Sequence, residues 1–552
     1  MIDPQRRRML SWLSGGAVAV VAAPWAIRHG YKPQPEIHVP AAASPARSTP
    51  PAHPAVPPQT PARQALRIPG RDGLMAEHVL SQNLHITARV RSFALFPGQS
   101  TALWHYAIDI DGRSLANPLL RVAHGAAVDI SFDNRLAEPT TIHWHGWSLD
   151  EANDGSGLHP VAVGEQVRYR FRVTNRAGLY WYHAHPHMRT GMQVQHGMAG
   201  LLLVDDEEEL ALRKKLGLAW GERDIPLMLA DKQIDPDNAI SYKQDADDWI
   251  GNRVLVNWTS EPYLDVVAGW YRFRLANVAN ARMFRPAFIY DGQPLPMQLI
   301  GTDGGLLAQP WPVDDFFLGP AQRADILIDF STLRPGSRVL LRSLEYVAMD
   351  HDGDDAVTFQ PDPMADHPGA VAMGNRLDMM ELRVVAATQP AQQTDIPQQL
   401  STLVPAPVVS SWPVRHFRLR TDPDGRWFIN DWNFHSNGHA AVFSVKRGAR
   451  EVWEIRNEMT SMPHPIHLHG FQFRVVSRSI SPPDIRSRMV ADAGLGPQDL
   501  GVADTVVVWP GEIVRIAIDF AQAFTGTQRY MFHCHNLEHE DKGMMVMFAV
   551  TD

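Results

Sequence analysis

A chain of 552 residues is too long for one hydrophobic core and is expected to divide into several domains. Its composition, 45% hydrophobic and 20% charged with 43 prolines and 39 glycines, is that of an ordinary globular protein. A formal net charge of −9 without a dense Lys/Arg run beyond the first few residues argues against a nucleic-acid binder, and a single cysteine excludes an internal disulfide.

The chain opens MIDPQRRRMLSWLSGGAVAVVAAPWAI, with Arg6, Arg7 and Arg8 ahead of an apolar run rich in Ala and Val. Residues 1–28 read as a twin-arginine-type signal peptide, a route that exports proteins already folded, so a periplasmic or secreted protein is expected. The alternative is an uncleaved anchor, because Met9 to Ile27 is nearly long enough to span a bilayer. No stable membrane span is expected in the mature chain. Residues 29–70, dense in proline and alanine, read as an extended tether.

From about residue 80 the chain is a succession of short β-rich segments broken by Gly, Pro, Asn and Asp, among them NLHITARVRSFAL, VRYRFRVTN, ADILIDF and IVRIAIDF. Such spacing predicts β-sandwiches. One helical connector is expected at DDEEELALRKKLGL, with its charges on a solvated face. An internal repeat sharpens the division: TIHWHG at 141–146 recurs as PIHLHG at 465–470, and YWYHAH at 180–185 recurs as YMFHCH at 530–535. A turn followed by a strand also occurs three times, as VGEQVRYRFRV, GPAQRADILIDF and PGEIVRIAIDF. Three related β-sandwich domains follow, at 71–222, 223–398 and 399–552. The middle one has only His351 and His367, in no HxH pair, and is expected to carry no ligands.

In a strand, residues i and i+2 point to one face and i+1 to the other. Each of the pairs His143/His145, His183/His185, His467/His469 and His533/His535 therefore projects two imidazoles in one direction. Eight converging imidazoles suit copper better than a hydrophobic core. Cys534 points the opposite way from its neighbours and belongs to a second site. With His464, His539 and the thioether of Met544 it makes the ligand set of a blue-copper electron-transfer centre; zinc is the alternative, but structural zinc sites use several cysteines. The HCH stretch joins the two sites covalently, as a short electron path from Cys534 to His533 and His535. His159, His187 and His196 match no ligand spacing and are read as surface or supporting histidines.

The motifs HWHG, HAH, HPIHLHG and HCHNLEHEDKGMM resemble those of the multicopper oxidases, laccases and bacterial cuprous oxidases among them. The resemblance covers essentially all of the chain after the tether. It implies an all-β fold of three cupredoxin-like Greek-key sandwiches and four copper ions. Carried over by motif position, type 1 copper takes His464, Cys534, His539 and Met544, and type 2 copper takes His143 and His467. The type 3 pair takes His145, His183, His185, His469, His533 and His535. Ala184 stands in the first domain where Cys534 stands in the third, so no second blue site is expected.

The implied reaction couples four one-electron oxidations of a reductant to reduction of dioxygen to water, and the protons it consumes call for carboxylates. Asp154, eleven residues after His143, and Glu540, directly after His539, are the candidate proton donors. The expected reductant is a phenol or aromatic amine, with Cu(I) in copper tolerance as the alternative. A non-enzymatic copper-binding or scaffold protein is the third reading, which the intact ligand set opposes. The stretch 349–380 holds Met349, Met364, Met373, Met379, Met380, His351 and His367, too sparse for a dedicated Met-rich insert, and ordinary packing is expected of it. Met462, two residues before His464, could touch a reductant or simply pack. A monomer is expected.

Overall fold

Alternation along short strands produces six sheets that pair off in chain order. The computed structural model describes residues 63–80, 82–349, 369–387 and 394–552. The signal stretch, the tether up to residue 62, and His351, Met364 and His367 lie outside the described residues. Between Gly73 and Asp205 a six-stranded sheet is matched with a five-stranded one; between Asp224 and Val384 the sheets have seven and five strands; between Val414 and Thr551 both have five. Each pair encloses its own apolar core drawn from both sheets, such as Ile86 with Leu202, Phe273 with Phe288, and Ile455 with Phe532. The fold is all-β, as the segment spacing predicts.

The repeated motifs occupy equivalent places. In the first sandwich the strand His143–His145 pairs antiparallel with Gly178–His183, setting His143 opposite His183. In the third, His464–Leu468 pairs antiparallel with Gln528–Cys534, setting His467 opposite His533 and Ile466 opposite Cys534. Ile466 and Cys534 fall into the third core, so the alternating imidazoles leave it on the other face. Gly146, which ends HWHG, has φ +84°, and a Cβ there would collide with the carboxylate of Asp504. The motif glycine thus serves a close approach between the first and third sandwiches.

Two expectations need correction. The connector is a helix, Glu207–Leu216, capped by Asp206 at its start and by left-handed Gly217 at its end. Its charged face is not all solvated: Glu209 is fully buried against Arg272 and Arg274, which also hold Asp224 and Asp325. Several partners desolvated together keep these charges ionised, so burial alone did not select against them. The end of the tether is also ordered against the second sandwich, where Leu66 N–H donates to the Tyr263 carbonyl (2.7 Å) and Leu66 enters the core. Met349, Met379 and Met380 are buried packing residues. Met379 and Met380 lie on the strand Leu377–Val384.

Candidate metal centres

The cysteine centre forms where the strand carrying Cys534 meets the one beginning at His464. His464 Nδ1 and His539 Nδ1 lie 3.5 and 3.6 Å from Cys534 Sγ and 3.2 Å from each other. A short helix, Leu537–Asp541, carries His539 back onto the strand, and Asn536 caps it by accepting from Glu538 N–H (3.1 Å). Met544 N–H donates to the His539 carbonyl and Cys534 N–H to the Met544 carbonyl, 2.9 and 3.0 Å, which closes the loop with Met544 buried in the same core. Trp427 lies 4.1 Å from the His539 ring, centroid to centroid, and seals this side. Burial pushes the Cys534 thiol well up and holds His464 down to about 3. Two neutral imidazoles and a sulfur close enough to share one ion are a soft donor set.

The eight paired histidines meet between the first and third sandwiches, all buried. Their donor atoms fall into groups lying within 4.8 Å of one another: His143, His145 and His467; His145, His183 and His535; His185, His469 and His533. The other ring nitrogen is held by an acceptor. His143 Nδ1–H donates to the Asp154 carbonyl, His467 to Asp504, His183 to Ala184 and His533 to Cys534, at 2.8 to 2.9 Å. A carbonyl can only accept, so these Nδ1 atoms carry the hydrogen and each Nε2 keeps its lone pair. His145 is turned around, with Nε2 on Asp504 Oδ1 (3.1 Å) and Nδ1 bare.

Metal binding explains otherwise costly features. His143 Nε2, His145 Nδ1, His183 Nε2, His467 Nε2 and both nitrogens of His535 are buried without a protein partner. An unmet buried acceptor costs about 1–3 kcal/mol, so several facing one another oppose folding unless a cation takes them. Burial, then the neighbouring imidazoles, hold His143, His145 and His467 well below their ordinary range, so they are neutral donors that could hold a metal ion. The site fits several copper ions.

Both candidate acids sit at this cluster. Asp154 Oδ2 accepts from His469 Nδ1 (2.8 Å), while Oδ1 is buried without a partner. Gly155, at φ +71°, lets this loop press against the Ile142 carbonyl, where a Cβ has no room. Burial raises Asp154 above the usual carboxylate range. Glu540 reaches His533 Nδ1 at 3.2 Å and His185 Nδ1 at 3.4 Å. Burial alone would raise Glu540, but these imidazoles hold it well below that range.

Sequence reasoning missed Asp504. Its carbonyl holds His467, its carboxylate holds His145, and Arg323 of the second sandwich donates to it (Nη1 to Oδ1, 2.8 Å). Arg323 also donates to the Leu179 carbonyl of the first sandwich (3.2 Å), and its own N–H donates to Asp303 Oδ1 (2.7 Å). The signal was a lone carboxylate in the apolar run VADTVVV. Of the unassigned histidines, His159 is exposed beside Glu151 (3.1 Å), and His196 bonds the Met192 carbonyl (2.9 Å). His187 is half-buried against His435 and Phe434.

Family models described as multicopper oxidase match residues 100–209 and 412–552. The multicopper oxidase mco of Staphylococcus haemolyticus is 30% identical over 444 residues, 80% of this chain and 83% of that protein. A laccase of Bacillus subtilis is 30% identical over 462 residues, 76% of this chain and 82% of its own. The crystal structure of McoA multicopper oxidase from Aquifex aeolicus superposes with a TM-score of 0.76 at 33% identity, covering 89% of this chain and all of that one. Kinship over so much of both chains, on a shared cupredoxin architecture with the donor groups intact, makes this oxidoreductase a member of the multicopper oxidase family.

Proposed function

We propose that the chain is a four-copper oxidase of laccase-like character. His464, Cys534, His539 and Met544 hold type 1 copper, and His143 with His467 hold type 2. The two type 3 ions take His145, His183 and His535 on one side and His185, His469 and His533 on the other. The observation that carries the reading is that His464, Cys534 and His539 form one donor group apart from the eight cluster histidines, which gather into three further groups with His145 common to two. Bound copper supplies one-electron redox chemistry, drawing single electrons from a reductant and passing four to dioxygen to give two waters.

The chain's own part is to connect, protonate and exclude water. Cys534 is bonded through the backbone to His533 and His535, and its carbonyl accepts from His533 Nδ1 (2.9 Å), which adds a second, shorter link between the sites. Asp154 and Glu540 stand where protons are consumed. Asp154→Asn should keep the blue centre yet slow dioxygen reduction about 100-fold, the size of a lost proton donor. Stopped-flow reoxidation of the reduced enzyme measures this, and an unchanged rate removes Asp154 from proton supply.

The reductant is proposed to be a phenol or aromatic amine entering a cleft beside His464, lined by Tyr346, Pro463 and Pro465. One observation favours Cu(I) as a second reading: Met283, Met373 and Met462 line the same cleft with Asp248. Thioethers are soft ligands, and a carboxylate adds charge for a cation. Dioxygen uptake offered each reductant in turn decides between them. If Cu(I) is the reductant, Met373→Leu/Met462→Leu loses about tenfold of Cu(I)-driven uptake and keeps phenol-driven uptake within about twofold. Equal losses leave the methionines as packing, and no uptake with either reductant by fully copper-loaded protein returns the chain to a non-catalytic copper-binding role.

We further propose an exported monomer acting in the periplasm or outside the cell. The stretch Arg6 to Arg8 before an apolar run supports export. Among the described residues no helix is long and apolar enough to cross a membrane.

A further inference from the structure

Outside the four centres, His187 and His435 face each other with ring centroids 5.1 Å apart and planes inclined by 75°. Pairs within the metal centres have the same arrangement: His464 and His539 at 5.1 Å and 60°, His185 and His469 at 5.0 Å and 84°, His185 and His533 at 5.0 Å and 80°. Two imidazoles bound to one ion with tetrahedral or trigonal geometry have this separation, because each ring centre stands about 3 Å from the metal at metal–nitrogen distances near 2 Å.

The hydrogen-bond pattern repeats as well. His435 Nε2 lies 3.0 Å from the Asp541 carbonyl, which can only accept, so Nε2 carries a hydrogen and Nδ1 is the nitrogen left to face an ion. This is how the cluster histidines are oriented by main-chain carbonyls. His187 Nδ1 is buried without a partner. His439 lies beside Phe434, ring centroids 5.3 Å apart, on an exposed turn. The ring of Phe434 lies 4.7 Å from His187, and beneath it are the buried side chains of Met531, Met545, Met547 and Leu158.

The geometry points to a further metal site with two protein ligands, His187 and His435, that takes Cu(I) at the seam between the first and third sandwiches. Two imidazoles above an apolar floor suit a monovalent ion content with two borderline donors. His435 is exposed, so the ion exchanges with solvent, unlike the buried centres. His187 lies two residues beyond His185, which sets this labile ion beside the cluster that copper must fill. The site is independent of which reductant the enzyme uses.

The test is a titration of ascorbate-reduced, fully copper-loaded enzyme with Cu(I) under argon against bicinchoninate. It is run in a Met283→Leu/Met373→Leu/Met462→Leu background, so that the cleft beside His464 keeps no thioether. One further Cu(I) per chain is expected, and His187→Ala/His435→Ala should weaken it at least tenfold while the four resident ions and the blue band on reoxidation are retained. Because His187 adjoins a cluster strand, His435→Ala alone provides a second arm and should show the same loss. No further Cu(I) in the background protein, or an unchanged affinity in either histidine variant, overturns the site.

Discussion

Cys534→Ser is expected to slow turnover at least ~1000-fold, a barrier increase of about 4 kcal/mol, while the eight-histidine cluster still binds copper. Serine nearly matches cysteine in size and Cys534 is fully buried in the third core, so the sheet should survive. What disappears is the thiolate, the one soft anionic donor in a site whose other close donors are neutral imidazoles. The intense blue absorption should vanish, the enzyme should no longer accept electrons from phenols or Cu(I), and the type 2 electron paramagnetic resonance signal should persist. Retention of even a tenth of normal turnover would mean that electrons enter the cluster without passing Cys534.

Arg323→Met is expected to destabilise the protein by about 3–5 kcal/mol, the cost of leaving a buried charge without its partner. Arg323 is fully buried and holds Asp504 and Asp303. Burial pushes Asp303 up to about 7 even beside the guanidinium, so without Arg323 it would be protonated and Asp504 would stand uncompensated. Asp504 in turn holds His145 and His467, so the variant should lower the thermal midpoint and also broaden or deplete the type 2 copper signal. Arg323→Lys should rescue the charge but not the bridge, because one ammonium cannot reproduce the guanidinium's fan of donors to Asp504, Leu179 and Asp303. An unchanged midpoint together with a normal type 2 signal would show that the second sandwich does not support the cluster.

These two variants divide the labour within the chain. Cys534 connects the centres through one continuous stretch of backbone. Arg323 brings the sandwich without paired histidines to bear on the cluster, touching the other two at Leu179 and Asp504.

Much of the site was legible because its chemistry repeats at short period. An HxH pair on a strand puts both imidazoles on one face whatever the tertiary context, and a cysteine between two such histidines must face the other way. The shared direction of each histidine pair therefore followed from local geometry, while the pairing of His143 with His183 and of His467 with His533 was set by the sheets. The connector helix was legible from its composition, but the burial of Glu209 was not. Its partners Arg272 and Arg274 lie 63 and 65 residues away on a strand of the second sandwich. Asp504 meets His145 across 359 residues, and Arg323 meets Asp504 across 181. His187 and His435 come from different sandwiches. By itself the sequence determined which way each paired histidine points along its own strand, because that depends on a period of two. Which imidazoles share an ion, and which carboxylates and guanidinium hold them, was decided only when separate sandwiches packed face to face, because no local periodicity encodes a contact between sheets.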